Sequence, residues 1–175
     1  GTRLWPVSRE SRPKQFAKLF DGDSLFMQAI KRLQSSAFSE PMVFTADKHR
    51  FLVSEELRLE GLSADVYLEP EVKNTAPAII AATIFAFKEN KDSIIISAPS
   101  DHIIPNTKYF NEVIEAGLKE VKNKKIVTFG ISPTYPENGY GYLQLKQNNN
   151  NGPMQVLRFV EKPDKITAKK MLDEG

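Results

Sequence analysis

Ser93-Ile94-Ile95-Ile96-Ser97-Ala98-Pro99-Ser100-Asp101-His102 is the stretch whose reading decides the fold. Its unbroken β-branched run predicts a strand covered on both faces, as at the centre of a parallel sheet. Pro99 ends the run, and an acid follows at Asp101. A lone aspartate after a strand reads first as a turn residue or a helix cap. Two features favour chemistry: ligands collect beyond the carboxyl ends of parallel strands, and a hard cation beside phosphates needs carboxylate oxygens. His102 reads as a structural hydrogen-bonding residue, and with His49 as the other histidine no zinc site is expected.

Outward from this stretch, strands and helices alternate. Upstream, Ala76 to about Phe87 is nearly all apolar, which predicts a helix buried on most sides, with Pro77 tolerated near its start. Before it come strands over Pro41–Thr45 and Asp65–Leu68. A helix from Asp23 or Ser24 to about Gln34 carries Leu25, Ala29, Ile30 and Leu33 on one stripe. Asp47 opens another, with Phe51, Leu52, Leu57 and Leu59 as apolar positions and Gly61 as its cap. Downstream, a helix over 109–122 precedes a second core strand, Lys125–Ile131. The alternation predicts an α/β sandwich with a mainly parallel sheet. After Ile131 the pattern changes to two strands, Tyr140–Lys146 and Met154–Val160, around a turn at Asn148–Gly152. Asp164 caps a last helix, Lys165–Glu174, with Gly175 at its end.

The N-terminal stretch Gly1-Thr2-Arg3-Leu4-Trp5-Pro6-Val7-Ser8-Arg9 carries Arg3 and Arg9, with Arg12 and Lys14 close behind, against Glu10 alone. Gly1 and Thr2 are small enough to let backbone N–H groups approach an anion, and Pro6 and Pro13 stiffen the segment. The bland reading is a solvated basic tail. Leu4-Trp5 argues against it, because a free tail has no means of burying an indole.

With 175 residues, 41% hydrophobic and 26% charged, the chain has the length and composition of one ordinary globular domain. A net charge of +2 is too small for nucleic-acid or membrane binding by bulk electrostatics, so neither is expected as a partner. The absence of cysteine excludes disulfides and thiol nucleophiles and is compatible with a cytoplasmic location. No run approaches the roughly 18 apolar residues of a membrane span.

Five segments together resemble a known family. G-T-R-L-W-P-x-S-R with P-K-Q-F at 13–16 is similar to the signature loop of mannose-1-phosphate guanylyltransferases, a branch of the sugar-nucleotide pyrophosphorylases. Glu69-Pro70-Glu71-Val72-Lys73-Asn74-Thr75-Ala76-Pro77 resembles the segment that lies against base and ribose, with Lys73 where arginine is usual. Lysine cannot make the planar fork of arginine, and in isolation Asn74 or Thr75 reads simply as a helix cap. Pro99-Ser100-Asp101-His102 resembles the metal motif. Pro136-Glu137-Asn138-Gly139-Tyr140-Gly141-Tyr142 is similar to the sugar-binding loop, with Asn138 where threonine is usual. Phe159-Val160-Glu161-Lys162-Pro163-Asp164 resembles the last motif. The segments stand in family order and nearly span the chain.

The resemblance implies a Rossmann-like nucleotidyltransferase three-layer sandwich, with all five segments facing one crevice. It also implies that the family domain extends beyond 1–175 at both ends, with a first strand before Gly1 and a second metal-binding acid after Gly175. The implied reaction converts GTP and mannose 1-phosphate to GDP-mannose and pyrophosphate with Mg²⁺. Arg3, Lys14, Asp101 and Lys162 would be catalytic, with Asp101 the metal ligand. Gly1, Thr2, Arg3, Lys14, Asn74, Thr75, Ser100 and Asp101 would hold the nucleotide. Asn138, Gly139, Tyr140, Gly141, Glu161 and Lys162 would hold the sugar phosphate. Two alternatives stand beside it: a related pyrophosphorylase with another sugar or base, and a non-catalytic nucleotide-sugar binding homologue. The W-P-x-S-R and N-T-A-P-A words weigh against the first, and joint retention of the four catalytic positions weighs against the second. A homo-oligomer is left open.

Overall fold

Ser24 begins the first helix by the mechanism its sequence predicts. Its backbone is extended (φ −61°, ψ 159°), and its hydroxyl accepts a hydrogen bond from the Met27 N–H at 3.1 Å. In the computed structural model, which describes residues 4–19, 22–71, 73–146 and 152–174, this helix is α1, Leu25–Arg32. Phe20 and Asp21, which precede it, lie outside the described residues. The chain divides into two compact units, residues 1–107 and 108–175.

The first unit is built on a β-α-β repeat. Strand β1 (Met42–Ala46) pairs in parallel with β2 (Asp65–Glu69), in register from Met42 against Asp65 to Ala46 against Glu69. Parallel strands need a crossover, supplied here by a 3₁₀ turn at Asp47–His49 and helix α2, Arg50–Glu60. Gly61 ends α2 at φ 63°, the left-handed cap its position predicts. Phe16, Phe26, Met27, Ile30, Val53 and Leu57 form the buried core, with Val43, Leu52 and Val66 packed against it. Phe51 and Leu59, expected to be apolar contacts, are exposed instead. They fall off the Val53–Leu57 stripe, and Phe51 is covered by the Arg50 guanidinium at 4.3 Å.

Helix α3 (Thr75–Glu89) corrects a larger expectation. Ala82 is its one buried residue among those described, and Ile80, Ile84 and Phe87 are all more than half exposed. It docks through a ring stack, Phe85 on Tyr67 (4.7 Å) and Tyr67 on Phe44 (4.9 Å). An all-round apolar helix is buried only where every side meets a neighbour. The run at 93–98 also differs from expectation. Among the described residues neither it nor Lys125–Ile131 joins a strand ladder, and Ile126 is 97% exposed. β-branched side chains favour extended backbone, but a strand exists only where its N–H and C=O groups find a second strand.

The second unit holds helix α4 (Thr107–Lys122), an antiparallel hairpin of β3 (Tyr142–Leu145) and β4 (Val156–Val160), and helix α5, Lys165–Glu174. The change to hairpin pairing after Ile131 is as the sequence predicts, with an irregularity between Gln144 and Leu145. Most of the expected Asn148–Gly152 turn, and Gly175, lie outside the described residues. Val127 lies on Gly117 of α4, where an added Cβ would meet its Cγ1 at 3.2 Å. Asp164 caps α5 as expected: its Oδ1 accepts from the Thr167 N–H at 2.8 Å, which holds this carboxyl below its ordinary value.

Two outcomes test the first unit. Ser24 is 1% exposed and its hydroxyl also donates to Glu56 Oε2, so Ser24→Ala removes a cap and one of the donors to a part-buried carboxylate. Urea unfolding should show a loss of about 1–3 kcal/mol. Burial raises the Glu56 carboxyl above its ordinary 4.5, against the opposing pull of the Ser24 hydroxyl and Arg12. The folded chain then binds the proton more readily than the unfolded one, so stability falls as pH rises above 4.5 through the folded value. Thermal melts of Glu56→Gln should therefore gain on the parent as pH rises through that range, and a constant difference would refute the burial account.

Candidate active site

The single 3₁₀ turn Lys14–Phe16 positions the first functional pair. Phe16 is 1% exposed against Phe26, at 5.6 Å between ring centres. With Phe16 held inside, Lys14 projects to an ion pair with Asp101, whose side chain is 23% exposed. The loop before this turn is folded. Ser8 N–H donates to Leu4 O (2.9 Å), and Arg9 and Arg12 exchange backbone hydrogen bonds at 3.0 and 3.1 Å. The Arg9 side chain closes on Pro6 O (3.0 Å) and Arg12 Nε on Phe16 O (3.2 Å). Trp5 is 74% exposed, so the indole is not the anchor and Phe16 takes that part. Gly1, Thr2 and Arg3 lie outside the described residues.

Asp101 is steadied from behind by a residue the sequence did not single out. Arg32, at the end of α1, is 7% exposed and directs Nη1 and Nη2 at the His102 carbonyl, at 3.5 and 3.4 Å. Burial lowers its guanidinium from the ordinary value. His102 thus acts structurally through its backbone. The signal for Arg32 was faint: a cation in the last turn of a helix reads as a dipole partner.

Asn74 stands before α3 at φ 64° and ψ −161°, a region that is almost exclusively glycine's. Its side chain makes no capping hydrogen bond, so the bland capping reading does not hold. A backbone in this region costs about 1–3 kcal/mol, and no cap bond offsets it. Thr75 is exposed beside it, and Lys73 pairs with Glu71 at 2.8 Å on the surface. Neither Asn74 nor Thr75 bonds to Lys14 or Asp101. Ser100 sits half-buried in the turn before Asp101.

In the second unit the hairpin brings the two remaining motifs together. Tyr142 pairs with Val160 and Leu143 with Phe159, which sets Gly141 beside Glu161. A Cβ on Gly141 would lie 2.6 Å from Phe159 Cε2 and 3.0 Å from Glu161 Oε2, so a larger residue there must push the ring or the carboxylate aside. Glu161 pairs with Lys162 at 3.3 Å, and Lys162 has φ 42°. Asn138 and Tyr140 are exposed on the loop, while Glu137 and Gly139 turn inward. The arrangement presents carboxylate oxygens, the Lys162 ammonium and aromatic faces within one hairpin.

Among the described residues no three histidine or acidic side chains gather as a metal site. Asp101 offers one hard carboxylate, part-exposed and already matched with a cation. That donor set suits Mg²⁺ in the mode in which one or two carboxylates share the ion with substrate phosphates.

The comparisons with known proteins concern the chain as a whole. A family model described as nucleotidyl transferase matches residues 1–175. A mannose-1-phosphate guanylyltransferase of Klebsiella pneumoniae is 44% identical over 179 residues, covering 100% of this chain and 38% of its own length. The chain therefore spans well under half of that relative. A Thermus thermophilus structure, named as a mannose-1-phosphate geranyltransferase, superposes with a TM-score of 0.85 at 28% identity, over 99% of this chain and 50% of its own. A Helicobacter pylori structure named as a mannose-6-phosphate isomerase gives 0.83 at 34% identity, over 95% and 62%. With the α/β architecture, the paired motif residues and a family match along its whole length, the chain belongs to the nucleotidyl transferase family.

Proposed function

We propose that the protein makes GDP-mannose and pyrophosphate from GTP and mannose 1-phosphate. A phosphate oxygen of the sugar phosphate attacks the α-phosphorus of GTP in line, and the bond from that phosphorus to the bridging oxygen of pyrophosphate breaks. The nucleophile is already anionic, so no general base is needed, and catalysis is positioning plus charge neutralisation. The observation that carries this reading is the pairing of Lys14 with Asp101. A cation from the basic loop stands beside a hard carboxylate, a combination suited to a phosphate and its metal ion. Bound through Asp101, Mg²⁺ would neutralise phosphate charge.

The remaining roles follow the resemblance of the motifs. Arg3 and Lys14 clamp the triphosphate. Gly1 and Thr2 bring backbone N–H groups to it, and Asn74, Thr75 and Ser100 line the nucleotide. Asn138, Gly139, Tyr140 and Gly141 receive the sugar. Glu161 accepts its hydroxyls, and Lys162 neutralises its phosphate. The isomerase name belongs to one solved neighbour at 34% identity. The 44% identical relative carries the guanylyltransferase name.

Two experiments on the intact protein test the proposal. Pyrophosphate release should require GTP, mannose 1-phosphate and Mg²⁺ together, and Asp101→Asn should lower it about 100-fold or more while circular dichroism stays unchanged. Full activity in that variant would remove Asp101 from the mechanism. Gly141→Ala must displace the exposed Phe159 ring or Glu161 carboxylate, so it should raise KM for the sugar phosphate while changing stability by only about 0.5 kcal/mol. A variant with parental KM would show that the glycine is dispensable.

A further inference from the structure

Glu137 lies within the sugar-phosphate loop, yet its carboxylate is directed at the loop itself. Its Oε1 accepts the Gly139 N–H at 2.8 Å, and its own N–H donates to the Tyr142 hydroxyl at 3.0 Å. Tyr142 is the first residue of β3 and is paired with Val160, so the hairpin ladder fixes it. A chain of support thus runs from the ladder to the Tyr142 hydroxyl, to the Glu137 backbone, and through its carboxylate to the Gly139 N–H. Gly139 has little slack, since a Cβ there would stand 3.2 Å from Glu137 Oε1. Glu137, Gly139 and Tyr142 are half-buried, while Asn138, Tyr140 and Gly141 between them are exposed. The loop is split into an inward brace and an outward face.

We propose that Glu137 and Tyr142 are positioning residues that hold the 138–141 backbone in the shape that receives the sugar phosphate. The substrate in this inference rests on the guanylyltransferase reading above. An unpaired carboxylate beside a phosphate subsite would repel its ligand. Turned onto a backbone N–H, the same charge instead makes a charge-assisted hydrogen bond, among the stronger kinds available to a loop. Because the brace acts before the reaction, its loss weakens binding of ground and transition states alike. The effect should fall on KM, not kcat.

The test uses the intact enzyme. Glu137→Ala should raise KM for mannose 1-phosphate about tenfold, with kcat and KM for GTP within about threefold. Glu137→Gln keeps an amide oxygen for the Gly139 N–H and should return KM to within about twofold of the parent. Tyr142→Phe should raise it by about threefold. In parallel, hydrogen exchange of the 137–142 backbone without substrate should quicken in Glu137→Ala and Tyr142→Phe but not in Glu137→Gln. Unchanged exchange in a folded Glu137→Ala, faster exchange with unchanged KM, or a glutamine variant as impaired as the alanine one would overturn the proposal. If Glu137→Ala does not fold, Tyr142→Phe decides by the same two readouts. If the parent enzyme releases no pyrophosphate, the guanylyltransferase reading fails; exchange then decides the brace alone, faster supporting it and unchanged overturning it.

Discussion

Burial of Phe16 is the interaction on which the first unit's chemistry depends. Enclosing one phenyl ring is worth about 1.5–3 kcal/mol, whereas a part-exposed ion pair contributes about 0–1 kcal/mol. Lys14 is 49% exposed, so its contact with Asp101 cannot be what holds the loop down. The ring goes into the core beside Phe26, Ile30 and Val53, and the lysine two positions earlier is delivered to the carboxylate as a consequence. The basic loop is thus a shaped element because of a hydrophobic residue outside its cluster of charges. Arg32 does the corresponding work from the other side, fixing the backbone that follows Asp101.

Three non-glycine residues have positive φ among those described: Asn74, Lys124 and Lys162. Lys124 is rewarded locally, since its N–H closes onto Val121 O at 2.8 Å and that of Lys125 onto Glu120 O at 3.1 Å, as at the end of a helix. Asn74 gains no such cap, and Lys162 follows the acid of its motif. Both fall where the sequence motifs predict ligand contact, and strain persists at such places when the surrounding structure over-determines it.

Much of the local structure was legible. Ser24, Gly61 and Asp164 end or begin helices by bonds that their chemistry dictates, and β1 and β2 stand where the apolar runs put them. Burial was harder to read. The apolar faces of α3 and the runs at 93–98 and 125–131 look like core in sequence because hydrophobicity records an affinity for neighbours, not their presence. Trp5 misled for the same reason, since its size suggested an anchor that Phe16 supplies. Within the motifs, the roles of Lys14, Asp101, Gly141 and Glu161 came with the family resemblance. Arg32 was not singled out, and Glu137 and Tyr142 stood in a motif without a role of their own, because supporting residues act through backbone groups, and a contact with a carbonyl or an N–H leaves little trace in composition.

What the sequence determined by itself is the set of reactive groups and their order along the chain, since charge, hydroxyl and glycine freedom belong to the residue. It also determined the helix ends, which are closed by partners three or four positions away. The tertiary structure decided which groups meet. Lys14 and Asp101 are separated by most of the first unit's chain, and Gly141 and Glu161 by a hairpin, so only packing and strand register bring them together. The 93–102 stretch illustrates the division: its residue types announced an extended run ending in an acid, but whether that run is paired, and what faces the acid, depends on distant segments that no local pattern contains.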